Sequence, residues 1–494
     1  MTHTSPDARA ISAQILTIEN GLNLNSSNWV IENTHLWPLY RLELKRLMFI
    51  NQAKQQGKRA SRPELAAAFR RCKTPSITTG GHSNIWLVSD GFSFSTLGDT
   101  DFERFCNPIF DALCALGHSS VIIDRASRQP RKTTIPTRWW APITQRAKLL
   151  GILRAVITPD ARHQWIIDQI VYIAAKADIK LPQLSAKRFN AMSNAILSLA
   201  SKIEGKMRCE RVKAVFVVGY YDVGGYAYVL AANRANLTCV DVQHGVTGEL
   251  HTAYANWNFQ PSAGLTLLPK IFLCWTQEDA RVVQQWADKH HGTKKHAIVS
   301  GHPFLEAWKQ GGIPLPEQTK NTIKRIIMQS EGRPIVLVTL QPNLCSPKSL
   351  APLLKTWIEK PNVTWWIRTH PLAQCDRDNI ESLLKQYQVH HFNVDEASSL
   401  PLPALLQQST IHATHSSSTV IEAELLGVPS LIWSEYGEQL FETQILRGTA
   451  TRIVGGEDFI NKLNKVGNQQ KIPSTNDLSN QLGKALEEIL ERTK

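Results

Sequence analysis

A chain of 494 residues, 43% hydrophobic and 20% charged, holds apolar material for two or three full cores at about 150 residues per domain, which excludes an extended disordered protein. Lys and Arg total 55 against 42 Asp and Glu, a formal net charge of +13, but no recognisable nucleic-acid motif accompanies them, so no nucleic-acid partner is expected. The best apolar runs, 165–175 and 212–221, are broken by Asp168, Gln169 and Lys213 and fall short of the roughly 18 residues that span a bilayer.

Met1 to Asp7 contains neither a basic nor an apolar stretch, so no secretory signal is visible and a cytoplasmic location is expected. The eight cysteines are scattered without a CxxC pair and read as reduced core residues. Residues 1–75 read as a mostly helical, basic extension. Between 41 and 73 it carries ten Lys/Arg against Glu43 and Glu64, either a solvated helix surface or a face that meets phosphate or lipid headgroups.

From residue 76 the rhythm becomes strand, loop, helix. Residues 84–88 form a buried-strand run, Ser89-Asp90-Gly91 a turn, 102–116 a helix and 121–123 the next strand. The interval 125–148 breaks this rhythm with Pro130, Pro136 and Pro142, seven basic residues, no acid, and the pair Trp139-Trp140. It reads as a loop, either packed or set to touch an anionic membrane surface, where indoles settle at headgroup depth. Helices near 160–178 and 187–207 lead into strand 214–218, a helix over 223–234 capped by Asp222, and strand 237–242. Strand 271–275, a helix over 278–286 capped by Thr276 and strand 297–300 complete a first parallel domain over 76–305.

Gly301-His302-Pro303, Gly311-Gly312 and Pro314 punctuate a crossing into a second α/β series over 306–494, with His302-Pro303 read as a turn. Its strands are 335–340, 363–367, 410–413 and 430–433, with helix-period segments near 347–359, 377–387, 402–408 and 418–426. The expected fold class is α/β: two doubly wound parallel-sheet domains facing a central cleft at their strand carboxyl ends, with an N-terminal helical extension.

Three stretches carry chemistry. In the run 411–424 a strand feeds Ser416-Ser417-Ser418-Thr419 as a helix opens, offering hydroxyls and backbone N–H groups to a phosphate; an ordinary helix cap would need only one hydroxyl. Glu422, one turn on, is either an acceptor for ribose hydroxyls or a solvated helix acid. In Trp365-Trp366-Ile367-Arg368-Thr369-His370-Pro371 a buried strand ends in a cation and an imidazole. Arg368 can hold an anion, and His370 either donates to the same group or merely ties down the turn. After strand 237–242, Gln243-His244-Gly245 places His244 either as a general base or as a structural loop residue.

These motifs resemble bacterial GT-B glycosyltransferases that build capsule, lipopolysaccharide and teichoic-acid chains, near the sialyltransferases, Kdo transferases and CDP-glycerol glycerophosphotransferases. The resemblance covers about 210–450 and implies transfer of a sugar from a CMP-, CDP- or UDP-linked donor to a glycan or lipid-linked acceptor, in an inverting, metal-independent reaction without a cofactor. It assigns His370, Ser416, Ser417 and Ser418 to the donor phosphate, with Arg368, Thr419 and Glu422 beside them. It nominates His244 as the base by likeness to the glycerophosphotransferases, and Asp90 as a second candidate, because Ser89-Asp90-Gly91 matches the last two positions of a sialyltransferase acidic motif. The same residues also fit a polyol-phosphate transferase, a nucleotide-sugar 2-epimerase, or a non-catalytic nucleotide- or polysaccharide-binding scaffold. No metal site is expected: Asp99-Thr100-Asp101 and Asp376-Arg377-Asp378 read as helix-start acids, and His290, His291, His296 and His302 as loop residues.

Overall fold

β-Branched and aromatic runs bounded by Gly, Asp and Asn become strands buried on both faces, as a parallel sheet sandwiched between helices requires. The computed structural model describes residues 7–52, 70, 72–77, 83–259, 261, 264–289, 295–342, 346–370, 376–466 and 481–493. They fall into two units: unit 1 holds Met1–Ala307 with Ser479–Lys494, and unit 2 holds Trp308–Leu478.

In unit 1, β1 (Val30–Ile31) and β2 (Thr34–His35) form a small antiparallel ribbon. Then come β3 (Ile85–Ser89), β4 (Phe94–Leu97), β5 (Thr100–Glu103), β6 (Ser120–Asp124), β7 (Thr137–Trp139), β8 (Ala214–Val218), β9 (Thr238–Val242), β10 (Ile271–Cys274) and β11 (His296–Val299). Seven of them make a parallel sheet in the order β11-β10-β9-β8-β3-β6-β7. The strand order reverses between β3 and β8, the position at which open α/β sheets leave a crevice beyond their carboxyl ends.

One face of this sheet, through Trp86, Val88, Val215 and Val217, shares its core with Trp37, Tyr40 and Leu44 of the helix Trp37–Gln52 and with Phe189 and Ile196 of the helix Ala186–Cys209. Arg41, which the sequence groups with a basic outer face, is instead buried: its Nε lies 3.0 Å from Glu19, and it donates to the carbonyls of Thr252, Ala255 and Asn256. Lys54, Lys58, Arg59, Arg62 and Arg71 of that face lie outside the described residues. The helix Gln481–Glu491 packs on the helix Cys106–Ala115 of unit 1.

Several local expectations are corrected. The helix expected from residue 102 starts at Cys106, because Asp99-Thr100-Asp101 belongs to the β4–β5 hairpin, where Asp101 accepts from Thr96 Oγ1 at 2.9 Å and from the Lys132 amide at 3.1 Å. Trp139 and Trp140 are 4% and 1% exposed, so neither indole is available to a membrane surface: Trp139 sits in β7, and Trp140 meets Trp86 edge to face at 5.1 Å. Cys106, Cys239 and Cys274 are buried and free, as expected for core thiols, but Cys114 and Cys209 are exposed. Cys345 and Cys375 lie outside the described residues, as do His290 and His291.

In unit 2, β12 (Ile335–Thr339), β13 (Thr364–Arg368), β14 (Phe392–Asn393), β15 (Ile411–Thr414), β16 (Ser430–Ile432) and β17 (Ala450–Arg452) pair in parallel in the order β14-β13-β12-β15-β16-β17. Alternation divides the strands between two cores. Val336, Val338, Trp365 and Ile367 face Trp357, Leu384 and Phe459, whereas Leu337 and Trp366 face Leu405, Leu406 and Ala423. This unit too is doubly wound, with its switch point between β12 and β15.

Candidate functional site

Both switch points carry polar residues. In unit 1 the ends of β9, β8, β3 and β6 bring together His244, Tyr221 and Asp222, Asp90, and Arg125. Gly219, at φ +62°, ends β8 in the left-handed region. A Cβ there would lie 2.9 Å from His244 Cε1 and 3.1 Å from its Nε2, so the missing side chain is what lets the imidazole lie across this turn. His244 Nε2 is 3.3 Å from the Tyr221 hydroxyl, and its Nδ1 is buried with no hydrogen-bond partner among the described residues.

Burial lowers the His244 pKa, against the charge of Asp90, while Arg125 works with burial. The imidazole is therefore held neutral, the form that accepts a proton. Arg125 is buried and grips both Asp222 oxygens through one nitrogen at 2.7 Å while donating to the Val218 and Gly219 carbonyls at 3.0 and 2.9 Å. Asp222 also caps the helix Val223–Arg234, accepting from Gly225 N at 2.6 Å. Burial would raise its pKa, but Arg125, Lys148 and the Gly225 amide outweigh that and hold it low. Asp90 is spent in part on its own turn, accepting from Phe92 N at 2.8 Å and Ser93 N at 2.9 Å. Behind it, Glu103 is buried, accepts from the Phe105 amide at 2.9 Å, and is pushed up to about 7 by burial and then by the charge of Asp90.

In unit 2 the hydroxyl run follows β15. Ser417 N donates to Thr414 Oγ1 at 3.2 Å, Thr419 N to Ser417 Oγ at 3.3 Å, and the two hydroxyls of Ser417 and Thr419 are 3.0 Å apart. Ser416 Oγ meets His415 Nδ1 at 3.0 Å. Ser418 occupies the cap position of the helix Thr419–Leu425 but makes no side-chain cap bond, so the helix does not use its hydroxyl. That helix is only seven residues long, so hydroxyls rather than a long helix dipole are what the turn offers an anion. Glu422 is 6% exposed, which removes the reading of a solvated helix acid, and its charge reaches the buried His412.

Arg368 ends β13, and one of its nitrogens donates to the Ala397 and Leu400 carbonyls at 2.8 and 2.6 Å, anchoring the helix Asp395–Ser399 and the residue after it. His370 follows, half-buried, two residues beyond that strand. Thus Arg368 and His370 leave β13, on one side of β12, and Ser416 to Thr419 leave β15, on the other. Between them Gln341 lies at the end of β12, both amide atoms buried and without a hydrogen-bond partner among the described residues. An orphaned amide costs about 1–3 kcal/mol. Sequence reading passed over Gln341, Tyr221, Arg125 and Asp222 as site residues. Their position just beyond a strand end was visible, but which strand ends are neighbours was not.

Among the described residues no group of three His, Cys, Asp or Glu could hold a metal ion, and no helix is long and apolar enough to cross a membrane. No protein-family model matches the chain, and no curated protein matches it in sequence. Solved structures do match. A Listeria monocytogenes protein assigned as a UDP-N-acetylglucosamine 2-epimerase is 14% identical, with a TM-score of 0.50 over 84% of this chain and 98% of its own. The Methanocaldococcus jannaschii UDP-GlcNAc 2-epimerase in complex with UDP-GlcNAc and UDP is 13% identical, with a TM-score of 0.49 over 83% and 99%. The glycotransferase of kitacinnamycin is 11% identical, with a TM-score of 0.42 over 83% and 94%. At such identities the likeness concerns architecture. The chain has a GT-B-like fold, two parallel α/β sheets of seven and six strands.

Proposed function

We propose that this chain is an enzyme acting on a nucleotide-linked sugar, and specifically a glycosyltransferase whose unit 2 binds the donor. The observation that carries the reading is the turn Ser416 to Thr419 at the unit 2 switch point, with a Ser418 hydroxyl that the helix does not use and a buried Glu422 one turn on. Hydroxyls there, with His370 and the cationic Arg368 at the end of β13, suit a nucleotide phosphate, and Glu422 suits ribose hydroxyls. In unit 1 the neutral His244 is the base for an acceptor hydroxyl, with Asp90 stabilising the imidazolium that forms. Departure of the nucleotide leaves negative charge on its phosphate, which preorganised donors favour in the transition state. CMP-, CDP- or UDP-sugars are the donors proposed, and a glycan or lipid-linked glycan the acceptor.

A 2-epimerase is the second reading, favoured by the architectural match to the Listeria protein. The two separate by product: a transferase releases nucleotide only when an acceptor is glycosylated, whereas an epimerase yields an epimerised sugar without one. A thermal-shift series with CMP, CDP, UDP, GDP and their sugars, with and without Mg²⁺, tests the binding step. A nucleotide should stabilise the wild type and neither His370→Ala nor Ser417→Ala. Stabilisation by none of them removes the basis for a nucleotide-sugar enzyme.

A further inference from the structure

The later turns of the helix Ala141–Ile157 are packed inside out. Beyond Ala141 and Pro142 at its start, the buried residues are the small Thr144, Ala147, Gly151 and Ala155. They meet the helix Ala186–Cys209 so closely that a Cβ on Gly151 would lie 2.4 Å from the Ala191 carbonyl oxygen and 2.9 Å from Ala195 Cβ. Five of its large apolar residues point to solvent: Leu150, Ile152, Leu153, Val156 and Ile157 are 41%, 52%, 54%, 55% and 67% exposed. Scattered exposed aliphatics are ordinary, but five within eight residues of one helix, opposite a face of Ala and Gly, form a patch that water does not reward.

Charge says what covers it. From residue 125 to 159 there is no Asp or Glu, and Arg154 sits exposed among the five aliphatics. The two helices run antiparallel, since Lys206 lies 5.1 Å over the Trp140 ring at one end while Ala191 meets Gly151 further along. Lys187, exposed near the start of the second helix, therefore falls toward the Ile157 end of the first. A symmetric contact between two copies would set Arg154 beside its own image, a like-charge pairing. A lipid surface meets both demands: aliphatic side chains enter the acyl boundary while Arg and Lys reach the headgroup phosphates along their apolar stems.

We propose that the exposed face of the helix Ala141–Ile157 seats this protein on an anionic lipid surface, lying in the headgroup plane. At 17 residues the helix is too short to span. These residues are distinct from the buried Trp139-Trp140 pair, and the inference does not depend on the nucleotide reading.

Flotation of the full-length protein with vesicles tests it. Wild type should float with an equal mixture of phosphatidylcholine and phosphatidylglycerol and only weakly with phosphatidylcholine alone. The triple variant Ile152→Ser, Leu153→Ser, Val156→Ser, with unchanged circular dichroism, should partition about a thousandfold more weakly. Leu153→Ser alone, which removes one exposed side chain, gives about tenfold if the triple variant misfolds. Arg154→Glu should weaken binding to the anionic vesicles only. Failure of wild type to float, equal binding to both vesicle types, or unaltered partition of the variants overturns the proposal. So does a wild-type dimer in sedimentation equilibrium that the triple variant converts to monomer.

Discussion

His412 sits in mid-sheet in unit 2, fully buried, with Nε2 2.8 Å from Thr339 Oγ1 and Nδ1 2.9 Å from Ser430 Oγ. A neutral imidazole supplies one donor and one acceptor, and two hydroxyls can satisfy both. Burial lowers its pKa to about 3, against the charge of Glu422, which works the other way. In the unfolded chain the ring titrates near the ordinary value of about 6.5. Because the folded value is the depressed one, the stability it contributes is complete above about pH 6.5 and is lost as pH falls toward about pH 3. Between about pH 7 and about pH 5 the unfolded ring gains a proton that the folded ring refuses, a loss of about 2 kcal/mol. His412→Gln keeps a donor and an acceptor for the two hydroxyls but cannot titrate. Hydrogen exchange at the amides of β12 and β15, corrected for its intrinsic pH dependence, reads unit 2 alone. Wild type should lose about 2 kcal/mol more than the variant on acidification. Equal losses would refute the claim that this histidine is held unprotonated in the sheet.

Gly219→Ala should destabilise unit 1 by about 1–2 kcal/mol, since the residue sits at φ +62° and the new methyl presses on the His244 ring. It should also move the His244 titration seen by NMR, and an unmoved titration would show that the ring does not rest on this turn. Gln341→Leu should stabilise the unliganded protein by about 1 kcal/mol in urea unfolding, because it removes an orphaned buried amide. The same variant should diminish nucleotide stabilisation in the thermal-shift series. A destabilised variant that keeps full ligand stabilisation would make Gln341 an ordinary structural residue.

Much of the architecture was legible in local chemistry. Buried-strand runs such as Ala214-Val215-Phe216-Val217-Val218 and the caps at Asp222 and Thr276 depend on neighbours a few residues away, and all became the elements expected. Because chain order carries a strand's direction, the hydroxyl run and Arg368-Thr369-His370 could be placed at carboxyl ends from sequence alone. What sequence could not supply was adjacency. Arg125 and Asp222 are 97 residues apart yet share a bidentate ion pair, and Gln341 belongs with Ser416 to Thr419 only because β12 pairs β15. Exposure was equally hidden. Trp139 and Trp140, which the sequence left open between a packed loop and a membrane contact, are buried, whereas the aliphatics of 150–157 face solvent, because the helix Ala186–Cys209 takes the Ala and Gly face instead. Hydrophobicity is a property of a residue, but the side of a helix that meets a neighbour is decided by how closely two backbones can approach, and only the tertiary structure holds that information.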